Sequence, residues 1–208
     1  MTSKQMRENP LFLRNSFEGV GKWGIPLIRR QPLIDGEIRL IAASNTKTHD
    51  TEKNRQCGVH FAIDDYRFSA IYRNPEKSFK KYSQYAFLLS TDDSTYADMQ
   101  PWRQLESIAH KHWCAAYWQS RGIIVYPMVS WSTPESYPFC FDAIERHSIV
   151  AVGMIGCKER NKLPFLRGYN AMLEKIEPDA IICVGKAFPE MRENLIEVEY
   201  NEPRKAVR

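Results

Sequence analysis

The sequence predicts an α/β fold of repeated βα units, a complete or partial (βα) barrel-like domain with an irregular N-terminal arm. Three observations lead there. Short apolar runs alternate about six times with segments of helical period, the rhythm of parallel strands joined by right-handed crossovers. Ile123 to Val129 is almost continuously apolar, as a strand covered on both faces must be. No Gly-x-Gly-x-x-Gly follows the first strand, so a dinucleotide-binding reading has no support; the barrel type is favoured, with an open doubly wound sheet as the alternative.

The elements follow in order. Met1 to Pro10 is polar and expected to fray. Leu11 to Pro32 mixes Phe, Trp, Gly and Pro without a period, so residues 1–32 read as an arm, with Ile25 to Ile28 as a candidate edge strand. Residues 33–202 form a single α/β domain, and 203–208 a basic tail. Ile38 to Ala43 is the first strand, and Ser44 to Gln56 a long polar loop. Strand Val59 to Ile63 precedes a helix opened by Asn74-Pro75 and running to about Tyr82. After strand Tyr85 to Ser90, the longest helix runs from Pro101 to about Arg121. Its apolar stripe is Trp102, Leu105, Ala109, Trp113 and Ala116, and Gly122 stops it. A short turn or helix spans Phe139 to Ile144. Strand Ser148 to Ile155, helix Leu163 to Ile176, strand Ala180 to Val184, a short helix near Phe188 to Arg192 and strand Ile196 to Tyr200 complete the domain.

Composition bounds the function. At 208 residues the chain is long enough for one well-buried core. Its net charge of +4 permits nucleic-acid binding without arguing for it. Five scattered cysteines without a C-x-x-C pair, and no secretory leader, read as free thiols in a reducing cytoplasm. No apolar stretch reaches the roughly 20 residues of a membrane span, so no membrane partner is expected.

Chemistry is expected where strands run out into charge. Side chains alternate along a strand, which puts His60, Ala62 and Asp64 on one face and Val59, Phe61 and Ile63, all apolar, under the helices. The same alternation groups Leu88, Ser90 and Asp92. Asp64 and Asp92 on neighbouring strand ends would share a proton, hold a divalent cation or work as an acid/base pair, with His60 as a further base. The competing structural reading makes Asp64 a helix cap, pairs Asp65 with Arg67 and leaves His60 a satisfied core group. Asp65 and Asp93 stand as weaker candidates. Around these, Arg67, Ser130, Trp131 and Asp142 are candidate ligand-binding residues, with Gly153 and Lys186 placed to admit a backbone or a phosphate. Trp131 either stacks on a base or closes the barrel; Asp142 either caps a helix or adds a carboxylate. His110 and His112 are two apart on a helix and form no zinc pair. Neither a Gly-x-Ser-x-Gly elbow nor a P-loop is present.

Several of these stretches, in fixed order, resemble a family of phage, prophage and mobile-element proteins, domain-of-unknown-function family 4417. The matching pieces are Val59-His60-Phe61 with Asp64-Asp65-Tyr66-Arg67-Phe68, then Ser90, Asp92, Ser94, Tyr96, Asp98 and Met99. Trp113 with Ala116-Tyr117-Trp118-Gln119 and Gly122 follows, then Pro127, Val129-Ser130-Trp131 and Phe139-Cys140-Phe141-Asp142, and finally Gly168 and Ile181-Ile182 with Gly185. His110 and His112 stand where the resemblance leads one to expect arginines, Ala143 where it leads one to expect glycine, and Asp93 where it leads one to expect an aromatic. The resemblance implies a phage or mobile-element setting, and hence a host cell's cytoplasm, but imports no reaction. Two readings follow: an enzyme-like domain acting on a nucleotide or nucleic acid, similar in layout to tRNA-guanine transglycosylase barrels at the level of fold alone, or a non-catalytic protein binding nucleic acid or a host protein. Oligomeric state is not fixed by the sequence.

Overall fold

The computed structural model describes residues 2–191 and 194–200. The N-terminal residues expected to fray instead form a helical turn, α1 (Ser3–Arg7), because Thr2 and Gln5 make a reciprocal capping box. α2 (Pro10–Leu13) follows, capped by the Asn9 side chain. The arm continues as a small antiparallel hairpin of β1 (Gly19–Val20) and β2 (Ile25–Pro26). It lies along the longest helix, with the Phe17 ring 5.5 Å from Trp113 and the Arg14 guanidinium over the rings of Tyr72 and Trp113.

The α/β part begins with β3 (Leu40–Ala42), and a single helical turn, α3 (Glu52–Arg55), precedes β4 (Gly58–His60). α4 (Ala70–Arg73) and α5 (Pro75–Tyr82) lead to β5 (Phe87–Leu89). α6 (Pro101–Ser120), β6 (Val125–Tyr126), α7 (Tyr137–Phe141), β7 (Ile149–Gly153), α8 (Lys162–Ile176), β8 (Ala180–Val184) and β9 (Leu195–Val198) complete the order. β3 to β6 form one parallel sheet and β7 to β9 another, each in chain order. A bridge between Met128 and Ala151 joins them. Among the described residues no strand pairing returns from β9 to β3, so no closed barrel is formed. The two ends approach through Tyr200, whose hydroxyl donates to the Ala62 carbonyl (3.2 Å).

Alternation sorts the strand side chains into two layers. Leu40, Phe87, Leu89, Met128, Ala151, Ile182 and Val198, drawn from both sheets, share one inner cluster. On the other face Val59, Phe61, Leu88 and Val125 pack against Trp113 and Trp118 of α6, while Val150, Val152, Ile181 and Cys183 pack against Met172 and Ile176 of α8. Gly58 is required here: a Cβ on it would stand 2.1 Å from the Phe87 ring, which lies over the β4 backbone.

Three expectations need correction. Trp102 is 67% exposed and not part of the α6 stripe; the buried face runs instead through Ile108, Lys111, Cys114 to Ala116 and Trp118. The helix expected near Phe188 to Arg192 is a turn over residues 188–191, and Arg192 lies outside the described residues. The strands also end sooner than their apolar runs, because the chain turns once it leaves the sheet, as in the tight Ile63 N–H to Phe61 carbonyl bond (2.7 Å) after β4. The tail 203–208 falls outside the described residues.

Candidate functional site

The exits of β4 and β5 and the middle of α6 meet at one place. After β4, Asp64 opens a 3-10 turn over residues Asp65–Arg67; its side chain is exposed and makes no capping bond. Asp65 turns inward and accepts from the Ser94 amide (3.1 Å) and hydroxyl (2.9 Å). After β5, Ser90 is fully buried and its Oγ accepts from the Met128 amide (2.8 Å), tying the exits of β5 and β6 together. Thr91 donates to Asp93 (2.6 Å).

Lys111 completes the cluster from α6. It is 1% exposed, and its ammonium donates to the Met128 carbonyl (3.2 Å) and to Ser130 Oγ (2.7 Å). It also stands 3.9 Å from Asp92. A buried ammonium is retained only where acceptors and a counter-charge replace its water. Burial pushes the Asp92 carboxyl above the usual carboxylate range; Lys111 opposes the rise and Asp65 adds to it. Burial raises Asp93 to about 6, against the bond from Thr91 and the charge of Lys111, with Asp65 and Asp92 contributing further. The carboxyls thus differ: Asp65 is bonded to Ser94, while Asp93 gives up its proton only around pH 6.

Two hollows flank the cluster, and a third, of about 910 Å³, lies away from it in the gap between β3 and β9. Of the two beside the carboxylates, the larger encloses about 520 Å³ and is lined by Asp65, Asp93, Tyr72, Arg73, Arg103 and His110. The smaller, of about 150 Å³, is lined by Asp92, Ser130, Trp131, Gly153 and Phe165.

Asp92, Ser130, Trp131 and Gly153 therefore converge on one cleft. Trp131 lies flat on α8 because Gly168 has no side chain: a Cβ there would stand 2.1 Å from the indole nitrogen. Phe165 and Phe141 pack around the indole at 5.1 and 5.9 Å.

The other candidates lie apart. Asp64 and Asp92 do not share a face: Val59 pairs with Leu88, so Leu88 lies on the helix side with Val59 and Phe61, and Asp92 reaches toward α6 rather than toward Asp64. The carboxylate that joins Asp92 is Asp65. His60 is buried and packs on Tyr200, ring centroids 5.5 Å apart. Arg67 is half-buried within its turn. Asp142 pairs with Lys175 of α8 (2.8 Å). Lys186 is exposed and lines a separate hollow with Glu197 and Glu199. Among the described residues no group of three His, Cys, Asp or Glu side chains is arranged to hold a metal ion. In place of a cation between Asp64 and Asp92, the charge beside Asp92 is the Lys111 ammonium.

Lys111 was not singled out in the sequence. Its signal was available, since it falls three residues after Ile108 and three before Cys114, within the buried face of α6. His112, its neighbour, is buried with Nδ1 3.0 Å from the Pro26 carbonyl, and burial lowers its pKa to about 4; it anchors the arm. Burial also raises the Cys140 thiol to about 12 and the Cys114 thiol well above its ordinary value, so neither is a thiolate nucleophile at neutral pH.

Parallel strands in chain order, helices on their outer face and a carboxylate–lysine cluster at the strand exits define an α/β protein with a polar site at the carboxyl ends of its strands. The profile described as "Domain of unknown function (DUF4417)" matches residues 17–201, and the chain belongs to that family. It is similar to the "Gene 1 protein" of Mycobacterium phage L5, 31% identical over 193 residues, 88% of this chain and 83% of that protein. It is also similar to the "Gene 1 protein" of Mycobacterium phage D29, 30% identical over 179 residues, 85% of this chain and 65% of that one. No solved structure matches. No helix among the described residues is long and apolar enough to cross a membrane.

Proposed function

We propose that this protein is an enzyme-like domain acting on a nucleotide or nucleic acid, with its site at the exits of β4, β5 and β6. The observation that carries this reading is Lys111, a lysine 1% exposed that ends among Asp92, Ser130 and the Met128 carbonyl. Apolar packing alone has no use for an ammonium there, and strand exits are where α/β domains carry ligands. The strands, in chain order with one inner cluster across both sheets, are read as an incomplete (βα) barrel, and the cluster sits at its mouth. In this reading Asp93 donates a proton, Asp65 accepts one, and Lys111 balances the charge of Asp92. The 520 Å³ hollow is of a size to take one nucleotide; a divalent cation would enter with the ligand's phosphates.

One observation favours a second reading, a non-catalytic protein that binds a host protein. Leu11, Phe12 and Leu13 of α2 are 45, 58 and 45% exposed, an apolar group on the arm that does not line the hollows of the site.

The test is thermal unfolding of the wild type and Asp92→Asn with a panel of nucleoside phosphates, each with and without Mg²⁺ or Mn²⁺. A ligand at a hundred times its Kd stabilises the native state by about 2.7 kcal/mol, a shift of several degrees. The expected result is such a shift in the wild type, reduced in Asp92→Asn. A wild type that no nucleotide stabilises overturns the enzyme reading.

A further inference from the structure

Three large aromatic side chains are turned out to solvent, one lining the 520 Å³ hollow and two beside residues of the site. Tyr66 is 67% exposed and lines that hollow. Tyr96 is 60% exposed, and its hydroxyl lies 3.0 Å from Ser94 Oγ, the group that holds Asp65. Trp102 is 67% exposed in the first turn of α6, next to Arg103, which lines the same hollow. An exposed apolar side chain is unremarkable singly; three exposed rings on the segments that carry the site call for a use.

Cations border the same hollow. Arg73 and Arg103 both line the hollow, as does Glu106; Arg73 is exposed and donates to the Ser69 hydroxyl (3.3 Å), while Arg103 is tied to Glu106 (2.6 Å). The carboxylates Asp65 and Asp93 lie inside the opening. Cations, an aromatic ring and hydrogen-bond acceptors thus line one opening. Rings offer faces to successive bases, arginines neutralise the phosphates between them, and acceptors receive the amino and imino protons of one base turned inward. A free nucleotide would need the hollow but not the rim.

We infer that the ligand of this site is a single-stranded polynucleotide, its bases stacked on Tyr66, Tyr96 and Trp102 and its phosphates on Arg73 and Arg103, with one nucleotide entering the 520 Å³ hollow. The inference rests on the nucleotide reading above and adds the rim. A duplex keeps its bases stacked on one another and cannot use the rings.

Fluorescence anisotropy of labelled twelve-residue oligothymidylate and oligouridylate, with the unlabelled duplex as competitor, tests it. The wild type is expected to bind single strands and the duplex to compete at least tenfold less well; the stronger of the two labelled strands tells DNA from RNA. Tyr66→Ala/Trp102→Ala is expected to bind at least tenfold more weakly, as the loss of two stacking faces requires, at an unchanged melting temperature. Arg73→Ala is expected to reduce the slope of log affinity against log salt by about 0.7, the value for one phosphate on a single strand. Equal competition by duplex, or undiminished binding by the double variant, overturns the inference. A wild type stabilised by mononucleotides that binds neither strand also overturns it and leaves the nucleotide reading standing; a wild type that does neither removes both.

Discussion

Asp93→Asn is expected to stabilise the protein by about 2–3 kcal/mol at pH 7.5 and to leave it unchanged at pH 4. Burial raises the Asp93 carboxyl from 3.8 to about 6. The native state therefore keeps a proton that the unfolded chain has already released. A carboxyl raised on folding favours the native state at low pH, and that advantage is lost as pH rises from about 4 through 6. Above pH 6 the native state holds an ionised carboxylate close to Asp65 and Asp92, at a cost the unfolded chain does not bear. Asparagine keeps the acceptor for the Thr91 hydroxyl, which lies 2.6 Å from Asp93, and cannot ionise. Urea denaturation of both proteins at the two pH values measures this. A variant less stable than wild type at pH 7.5 would mean that the attraction of Lys111 outweighs the burial of Asp93. A protein that keeps so unfavourable a carboxylate gives up stability at a site it uses.

Lys111→Met has the opposite sign. Methionine fills much of the same volume, but Asp92 then loses its cation and Ser130 and the Met128 carbonyl lose their donor. Removing one partner of a buried ion pair costs about 3–5 kcal/mol; because Asp92 is 29% exposed, the lower end of that range is expected at pH 7.5. Without the ammonium the folded pKa values of Asp92 and Asp93 rise further. The loss therefore shrinks as pH falls and the carboxyls take up protons, and denaturation at pH 7.5 and pH 5 checks the sign. A loss below about 1 kcal/mol at pH 7.5 would show that solvent, not Lys111, balances these carboxylates.

The course of strands and helices was legible because period survives in the sequence. β8 has the expected ends, Ala180 and Val184, and α8 buries Tyr169, Met172 and Ile176 as their spacing requires. At β4 and just beyond it, Val59 and Phe61 do face the helices. What one strand cannot state is its offset against the next. Parallel neighbours are set by contacts far apart in the chain, and an offset of one residue exchanges the faces. The register of Val59 with Leu88 is such a fact; it separates Asp64 from Asp92 and brings in Asp65. Lys111 escaped for a different reason: a charge on a helix reads as solvated until its counter-charges, supplied by β5 and β6, are known. Trp102 failed in reverse, an apolar residue at helical spacing that the first turn of α6 leaves in solvent.

The site's location is tested most directly by amide chemical-shift mapping of the assigned protein during titration with a nucleoside monophosphate. The account predicts shifts at residues 65–73, at Thr91 to Ser94 and along Arg103 to Lys111, with α2 and the β3–β9 gap unmoved. Shifts confined to that gap, around Arg39 and Glu197, or to the exposed residues of α2, would contradict it and place the function elsewhere on the molecule.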